Sequence, residues 1–461
     1  MKGTTPGHAG HRHAVAGIAT SMLAASVVAA SVLTSTALAS AATNKTNTGD
    51  GVSKAGTITR ASVGSDGSQL PAGSFPPVRG GLSGDGNRVV FTNGGEGGGG
   101  GHLLPDTNGV TDAFVHDLKT GKSQTVSVNS HGEQANGASS NPSLAYGGKH
   151  AVFESVATNL GGRDTQDNVD VFVRNLVTNK TTRVSVSRHG GQTNGNNFFP
   201  VVSGNGNIVA FQSDSSNLVK GDTNNHEDVF VRNVRTSRTS RVSLNVHNHQ
   251  FKGISLEPSI SASGRYVLFA MTPDGEGLAN LYIRDRKAHT TRLLFNEAKH
   301  GHAIIGSWQL SANGRYVAFM SDGVLVPEDT NGEFDAYRIN VATGAVVRAS
   351  VNSDGGQAGG VTGRVAISGD GNRVGFSTTA DSYAPGDFGG ISDVFVRDIA
   401  AASTFKVSVD PVGEQGNEHS GFQGYLGLSG DGSAVSFESG ASNLVDGDTN
   451  DGPDVFVWRS R

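Results

Sequence analysis

Hydrophobic and polar residues alternate in short runs that recur from residue 57 to the end of the chain. Each repeat contains a run such as RVVF, HAVF, IVAF or YVAF, then a run of the type DVFV, then a run such as TRVSV. Gly, Asn, Asp and Ser separate these runs, and no segment of helical period is long enough to compete. Period-two runs bounded by turn residues predict β-strands. The pattern therefore predicts an all-β fold.

Four such runs make one repeat, and we name them strands a to d in chain order. Strand a is a short apolar segment that ends in a turn of the type SGDG, strand b is the RVVF run, strand c the DVFV run and strand d the TRVSV run. The aromatic residue of strand c recurs seven times, at Phe114, Phe172, Phe230, Tyr282, Tyr337, Phe395 and Phe456. One four-stranded sheet cannot bury both of its faces alone, so neighbouring sheets must pack around a common axis. We predict a seven-bladed β-propeller of four-stranded antiparallel blades.

The two ends of the repeat region complement each other. The chain ends on DVFVWRSR, a strand c with no strand d after it, and the repeat region begins with a lone strand d, TITRASV, at residues 57–63. A ring in which this N-terminal strand pairs within the last blade leaves no blade incomplete. We predict that closure.

The first forty residues differ from the repeats. Lys2 and Arg12 precede an uncharged run over residues 14–33, and small residues follow at Ala37 and Ala39. This order predicts a secretory signal peptide over 1–41, a flexible linker over 42–56 and the propeller over 57–461. The alternative is an uncleaved membrane anchor. We expect a monomer outside the cytoplasm, secreted or in the cell envelope, with no membrane span in the mature chain.

The amino-acid composition limits the kinds of stabilisation and of partner that we expect. The chain has no Cys, so an exported fold cannot depend on disulfides. Loss of Lys2 and Arg12 with the signal lowers the formal charge from −5 to −7. No basic stripe runs along the remaining sequence, and we expect no nucleic-acid partner.

The repeat resembles a known family. Its consensus, PxxSxxGRYVAFxS followed by NLVxGDTNxxxDVFVRD and TxRVSV, is similar to the TolB-type, WD-repeat-like propeller repeat of bacterial secreted and periplasmic proteins. The resemblance covers residues 57–461 and implies the fold. Propellers of this kind serve as binding platforms and as domains attached to enzymes, so the resemblance says little about function. TolB itself has six blades and an N-terminal α/β domain, so its role in envelope transport is not implied.

Strand order assigns every connection to one end of the blades. The a–b and c–d turns are tight and form what we call the turn face, and the longer b–c and d–a loops form the loop face. Binding residues concentrate on loops that a rigid scaffold holds. We expect the loop face to bind.

The b–c loops carry a repeated motif of the form Asp-x-Asn followed by an Asp just before strand c. Hard oxygen atoms at positions 1, 3 and 7 of a turn predict calcium. The alternative is structural, because Asp and Asn at loop starts form Asx turns and satisfy backbone N–H groups. The candidate calcium ligands are Asp106, Asn108, Asp112, Asp164, Asp170, Asp222, Asn224, Asp228, Asp329, Asn331, Asp335, Asp448, Asn450 and Asp454.

Two histidine pairs follow strand d of blades 3 and 4. They are His247 with His249 and His300 with His302, and His226 belongs to the same face. Imidazoles two residues apart can share one metal, so the two pairs could form a zinc site. The alternative is that these are solvated loop histidines.

Catalytic motifs do not accompany the repeat. No GxSxG nucleophile elbow occurs, and no Cys is present for thiol catalysis. We therefore assign no catalytic residue and no certain cofactor. Our leading hypothesis is a non-enzymatic scaffold whose polar loops bind a protein or an extracellular glycan. Two alternatives remain: a metal- or carboxylate-dependent glycan hydrolase or lyase on the same face, and a purely structural role in the cell envelope.

Overall fold

Seven antiparallel sheets build the part of the chain that the structure describes. The structure is a computed structural model that describes residues 56–70, 81–93, 108–161, 168–273, 279–296, 307–381, 383, 387, 389–422 and 424–461. All of them belong to one unit, Gly51–Arg461. The predicted signal peptide and all but the last residue of the predicted linker lie outside the described residues.

The sheets follow one another as the blades of a propeller, and the predicted fold is confirmed. Blade 1 contains β2 (Arg88–Asn93), β3 (Asp112–Asp117) and β4 (Lys122–Thr125), with a bridge between Leu82 and Val89 at its inner edge. Blade 2 contains β5 (Ser139–Leu144), β6 (His150–Ser155), β7 (Asp170–Asn175) and β8 (Lys180–Arg183). Blade 3 contains β9 (Asn197–Val202), β10 (Ile208–Ser213), β11 (Asp228–Asn233) and β12 (Arg238–Arg241).

The remaining blades repeat this order. Blade 4 contains β13 (Ile254–Ile260), β14 (Tyr266–Thr272), β15 (Asn280–Asp285) and β16 (Thr290–Phe295). Blade 5 contains β17 (Trp308–Leu310), β18 (Tyr316–Ser321), β19 (Asp335–Asn340) and β20 (Val346–Arg348). Blade 6 contains β21 (Thr362–Ile367), β22 (Arg373–Thr378), β23 (Asp393–Asp398) and β24 (Ser403–Lys406). Blade 7 contains β25 (Gly427–Leu428), β26 (Ala434–Ser439), β27 (Asp454–Ser460) and β1 (Gly56–Arg60).

The core lies between neighbouring blades. Phe211 of β10 pairs with Phe230 of β11, and both are fully buried. Both belong to one cluster with Val152 and Val171 of the preceding blade. Equivalent pairs of aromatic rings recur in every blade, because each sheet buries the same face against its neighbour.

Closure of the ring is confirmed. β1 pairs antiparallel with β27 over the full length of β1, from Gly56 opposite Ser460 to Arg60 opposite Phe456. Gly56 is therefore the first strand residue, one position earlier than predicted. A Cβ at Gly56 would come within 2.2 Å of the Trp458 ring, so only glycine fits there without a shift.

A ring of backbone hydrogen bonds joins the a–b turns on the turn face. Gly84 N donates to Tyr146 O (2.8 Å), and Gly430 N donates to Gly84 O (2.7 Å). Comparable bonds link the turns of blades 2 to 7 in order, so all seven turns are connected. The second residue of each turn is small in six blades, at Gly84, Gly204, Ala262, Ala312, Gly369 and Gly430. Blade 2 has Tyr146 at this position, and its ring lies against Gly84 and Gly430.

Strands account for all the regular elements of the described ranges. Within those ranges, no helix has the length and hydropathy needed to cross a bilayer.

Candidate functional site

The Asp motif lies where the b–c loop of each blade enters strand c. In blade 3, Asp228 is the first residue of β11, and Asp222 lies six residues before it in the loop. Between their carboxylates lies the guanidinium of Arg241, the last residue of β12. Arg241 Nη2 is 3.1 Å from Asp222 Oδ1, and Arg241 Nε is 3.2 Å from Asp228 Oδ2. All three side chains are buried, so the blade carries its own cation between the two carboxylates.

Three polar side chains complete this arrangement. Gln250 Nε2 donates to Asp222 Oδ1 (2.9 Å) and to Asp228 Oδ2 (3.1 Å). Ser243 Oγ donates to the other oxygen of Asp228 (2.6 Å). Asn224 Nδ2 donates to Phe251 O (3.1 Å), and Asn224 Oδ1 accepts from His226 N (3.2 Å). We call Asp222, Asn224, Asp228, Arg241 and Gln250 the loop clamp.

The loop clamp recurs around the ring. Its ion pairs are Arg60 with Asp448 and Asp454, Arg183 with Asp170, Arg348 with Asp329 and Asp335, and Lys406 with Asp387 and Asp393. Gln69 and Gln357 bridge their own Asp pairs as Gln250 does. Asn108, Asn331 and Asn450 each donate to the backbone oxygen of the d–a loop, as Asn224 does. The motif thus joins the two loops of a blade to each other.

Among the described residues, three blades depart from this pattern. In blade 6, Gly389 takes the place of Asn224, and Gln415 Oε1 accepts from Lys406 Nζ (3.1 Å). In blade 4, Asn280 takes the place of the second Asp, and Leu293 faces Tyr282 where Arg241 faces Phe230 in blade 3. In blade 1, Thr125 takes the place of the cation, while Gln134 Nε2 and Ser127 Oγ donate to Asp112 at 2.6 and 2.5 Å. Blade 4 therefore replaces the carboxylate and the cation together.

Burial changes the acidity of the clamp carboxylates. It raises the pKa of Asp228, Asp335 and Asp393 to about 6, although the neighbouring cation and the serine hydroxyl oppose the rise. Burial also raises the pKa of Asp454. A buried carboxylate is costly when ionised, and the cation between the two Asp residues offsets that cost.

Part of the predicted set lies outside the described residues, namely Asp106, Asp164, His300 and His302. All other candidate calcium ligands lie in loop clamps or, in blade 1, in the equivalent place. The calcium hypothesis stays a prediction.

His247 and His249 are exposed on the d–a loop of blade 3. The backbone N–H groups of both residues donate to Asn245 Oδ1, at 2.9 and 3.1 Å. Among the described residues, no group of three His, Cys, Asp or Glu is placed to hold a metal ion. The zinc hypothesis needs His300 and His302 as well, and it stays a prediction.

The cation and the glutamine of the clamp were not identified from the sequence as site residues. A usable signal was present, because Gln follows the cation by the same interval at Arg60 and Gln69, Arg183 and Gln192, Arg241 and Gln250, Arg348 and Gln357, and Lys406 and Gln415. The arginine lies in the TRVSV run, and the alternation of that run indicates only a strand.

Buried polar residues of strand b hold the inner edge of three blades, and these were also missed. Glu154 Oε2 accepts from Phe199 N (2.8 Å), and Glu154 Oε1 accepts from Asn141 Nδ2 (2.6 Å). Gln212 Oε1 accepts from Glu257 N (3.0 Å). Asn141, Phe199 and Glu257 have φ of 46°, 50° and 42°, and each precedes a proline at a bulge in strand a. Burial raises the pKa of Glu154. Left-handed backbone at non-glycine residues is costly and needs such fixed partners.

A half-open cavity of about 80 Å³ lies among the innermost strands. Its wall contains the aliphatic residue that precedes each a–b turn, which is Leu82, Leu144, Val202, Ile260, Leu310, Ile367 or Leu428. Tyr146 also lines it, together with Ala262, Ala312 and Gly369 of the turn ring. Ser143, Ser259 and Gln309 line the same cavity, so its wall combines aliphatic and polar groups.

Comparisons with known proteins agree on the fold. The sequence matches no protein-family model and no curated protein. An oligogalacturonate lyase in complex with manganese is similar in structure, with a TM-score of 0.53 and 11% identity over 89% of this chain and 96% of that one. The oligogalacturonate lyase of Vibrio parahaemolyticus has a TM-score of 0.53 and 11% identity over 87% and 93%.

A TolB-type propeller is also among the similar structures. The putative TolB of Agrobacterium tumefaciens has a TM-score of 0.38 and 15% identity over 64% of this chain and 86% of that one. At 11% identity, the likeness to the two lyases establishes only the fold of this chain.

Proposed function

We propose that this protein is a non-enzymatic binding scaffold that presents its loop face to a protein or an extracellular glycan outside the cytoplasm. The observation that carries the proposal is the combination, on this one face, of internally fixed loops with exposed apolar side chains. The seven packed blades, joined by the hydrogen-bonded turn ring, hold these loops in place.

The fixed loops support binding because they lower its entropic cost. Arg241 and Gln250 hold the b–c loop, and Asn217 Nδ2 ties that loop to Gln192 O of the preceding blade (3.0 Å). Asn159 and Asn443 make the same bond to the backbone oxygens of Gln134 and Gln415. A binding surface that is already ordered loses less conformational entropy when a partner binds.

The exposed apolar side chains support the choice of face. Val246, Val324, Val361, Val412 and Phe422 are exposed in loops of blades 3, 5 and 6. Phe422 is 55% exposed and stacks on His419 with ring centroids 5.0 Å apart. Exposed aromatic and aliphatic side chains among polar neighbours are typical of partner-binding surfaces.

Binding to immobilised extracellular polysaccharides and to proteins of the culture medium tests the proposal. We expect retention of one class of ligand by the natural protein, and loss of most of it in Phe422→Ser with Val361→Ser. The control is Val177→Ser, which removes a valine that is 65% exposed on the turn face and should retain the ligand. Equal loss in both variants, or no ligand in either class, would contradict the proposal.

The clamps support the structural interpretation of the Asp motif, since the carboxylates already contact Arg or Lys, Gln and Ser. Calcium binding remains the alternative. Melting in calcium and in a chelator separates the two interpretations, because a bound ion raises the melting temperature with its concentration. On the structural interpretation the two melting temperatures agree.

An enzyme on the same face is the other alternative. A hydrolase would release new reducing ends from a bound glycan, and a lyase would also create an unsaturated product. Incubation of the retained polysaccharide with the protein tests both activities. Detection of either product would show that the protein is an enzyme and not a non-enzymatic scaffold.

A further inference from the structure

The turn face carries a broad arc of exposed positive charge. Each of blades 1 to 3 contributes two exposed cationic side chains in or beside its tight turns, and blades 4 and 5 contribute one each besides Arg265, which is paired with Asp285. They are Lys119, Lys122, Lys149, Lys180, Arg235, Arg238, Lys287 and Arg315. The sequence shows no basic stripe because these residues come from separate turns, and only the ring brings them to one face.

Acidic residues compensate little of this charge. On blades 1 to 5, Asp117 is paired with Arg88 (2.9 Å) and Asp285 is paired with Arg265 (2.6 Å), so neither neutralises the arc. Asp85 accepts from Ser83 and Asn87 within its own turn and keeps its negative charge. Asp370 and Asp431 are exposed on the a–b turns of blades 6 and 7. The exposed cations of the arc therefore outnumber the acidic groups near them.

The loop face has the opposite charge. Its exposed acidic residues in the described ranges are Asp66, Glu133, Asp214, Glu328, Glu333, Asp354, Asp381, Glu414, Glu418, Asp446 and Asp451. Three exposed cationic side chains lie among them, Arg188, Lys220 and Lys252. A negatively charged surface would attract the turn face and repel the loop face.

Two apolar side chains are exposed on the turn face, and each belongs to a turn that also carries a cation of the arc. Tyr146 is 40% exposed at the centre of the turn ring, and Val177 is 65% exposed in the c–d turn of blade 2. Lys149 follows Tyr146 by three residues, and Lys180 follows Val177 by three. Basic side chains interspersed with an aromatic and an aliphatic residue are typical of surfaces that rest on lipid headgroups.

The turn face is also suited to a planar partner. All its connections are tight, and the hydrogen-bonded turn ring holds them at one end of the blades. We propose that the turn face docks peripherally on an anionic phospholipid surface through the cations of blades 1 to 5. Tyr146 and Val177 then lie at headgroup level, and the loop face points away from the lipid. This inference concerns the opposite face from the proposed binding function and does not depend on it.

Sedimentation with lipid vesicles tests the docking. The purified chain, with the same N-terminus in every variant, is mixed with phosphatidylcholine vesicles or with vesicles that also contain phosphatidylglycerol. We expect binding to the anionic vesicles alone and its loss at high salt, because charge attraction at a membrane falls off within a Debye length.

Two triple variants make a matched pair. Lys149→Glu, Lys180→Glu and Arg238→Glu reverse three charges on the turn face, and Arg188→Glu, Lys220→Glu and Lys252→Glu reverse three on the loop face. All six positions are exposed, and melting curves verify that both variants fold. The turn-face variant should lose affinity for anionic vesicles by about 100-fold or more, since each basic residue near the surface contributes to the attraction. The loop-face variant should bind as the natural protein does.

Three results would overturn the inference. The first is no binding to anionic vesicles at low salt. The second is an equal loss in both triple variants, which would show that net charge and not the turn face decides. The third is binding to polyphosphate or duplex DNA without binding to anionic vesicles, which would assign the arc to a soluble polyanion.

Discussion

Arg241 supplies the cation of the blade 3 loop clamp. Its guanidinium lies between Asp222 and Asp228, both buried. Removing one partner of a buried ion pair leaves uncompensated charge, which costs about 3–5 kcal/mol. We expect Arg241→Leu to lower the free energy of unfolding by that amount, as measured by urea denaturation. Arg238→Leu, an exposed position on the same strand, should change it by less than about 0.5 kcal/mol.

Blade 4 indicates how that loss can be reversed. It has Leu293 and Asn280 where blade 3 has Arg241 and Asp228. Combining Arg241→Leu with Asp222→Ala and Asp228→Asn removes the stranded carboxylates, so the combined variant should be more stable than Arg241→Leu alone. A strictly additive loss would show that the arginine acts through packing and not through the carboxylates.

Asp228 should make the stability of the folded protein depend on pH, in a direction that its raised pKa determines. Burial raises its pKa from 3.8 to about 6, so the folded protein binds the proton more tightly than the unfolded chain. This carboxyl adds stability below about pH 4, and the contribution is lost as pH rises through about 6. An asparagine side chain at this position would remain neutral at every pH. Relative to the natural protein, the free energy of unfolding of Asp228→Asn should rise by roughly 2–3 kcal/mol between about pH 4 and pH 7.5. A difference that does not vary with pH would contradict the raised pKa.

Phe211 and Phe230 test the packing between blades. Both rings are fully buried in the cluster shared with blade 2. Phe211→Ala or Phe230→Ala should lower the free energy of unfolding by about 3–5 kcal/mol, because each leaves a cavity. Denaturant titration measures the change. A cost near zero would mean that these rings do not support the interface.

At the scale of elements, β1 matters more than its length of five residues suggests. It completes blade 7 by pairing with β27, and its last residue, Arg60, lies near Asp448 and Asp454. Deleting residues 57–63 therefore exposes the edge of β27 and leaves two buried carboxylates without their cation. We expect a sharp fall in the melting temperature by calorimetry. Unchanged melting would rule out this closure.

Strands and closure were predictable from the sequence because they depend on local pattern. The alternating runs identify strands b and c, and the lone strand d at the start complements the last strand c at the end. The loop clamp was harder to predict from the sequence, because Arg241, Gln250 and Asp222 lie on three segments that come together only in the folded blade. The bulges at Asn141, Phe199 and Glu257 depend on contacts from strand b, and a local pattern does not contain those contacts.

At the scale of the whole molecule, the two faces of the ring carry different kinds of exposed side chain. Loops fixed by internal ion pairs present acidic and apolar side chains on one face, and tight turns present basic side chains on the other. The order of residues along the chain does not show either surface, because each surface is formed by short segments from many repeats. The sequence predicted which connections share a face, and the structure adds the charge and the contacts of each face.

Hydrogen exchange of the blade 3 loops tests the central claim most directly, namely that internal clamps fix the loop face without a bound ion. In a chelator, amides of residues 222–228 and 245–253 should exchange slowly in the natural protein. They should exchange much faster in Arg241→Leu, while the blade 6 loops, held by Lys406, stay protected. Rapid exchange in the natural protein that slows only when calcium is added would contradict the claim.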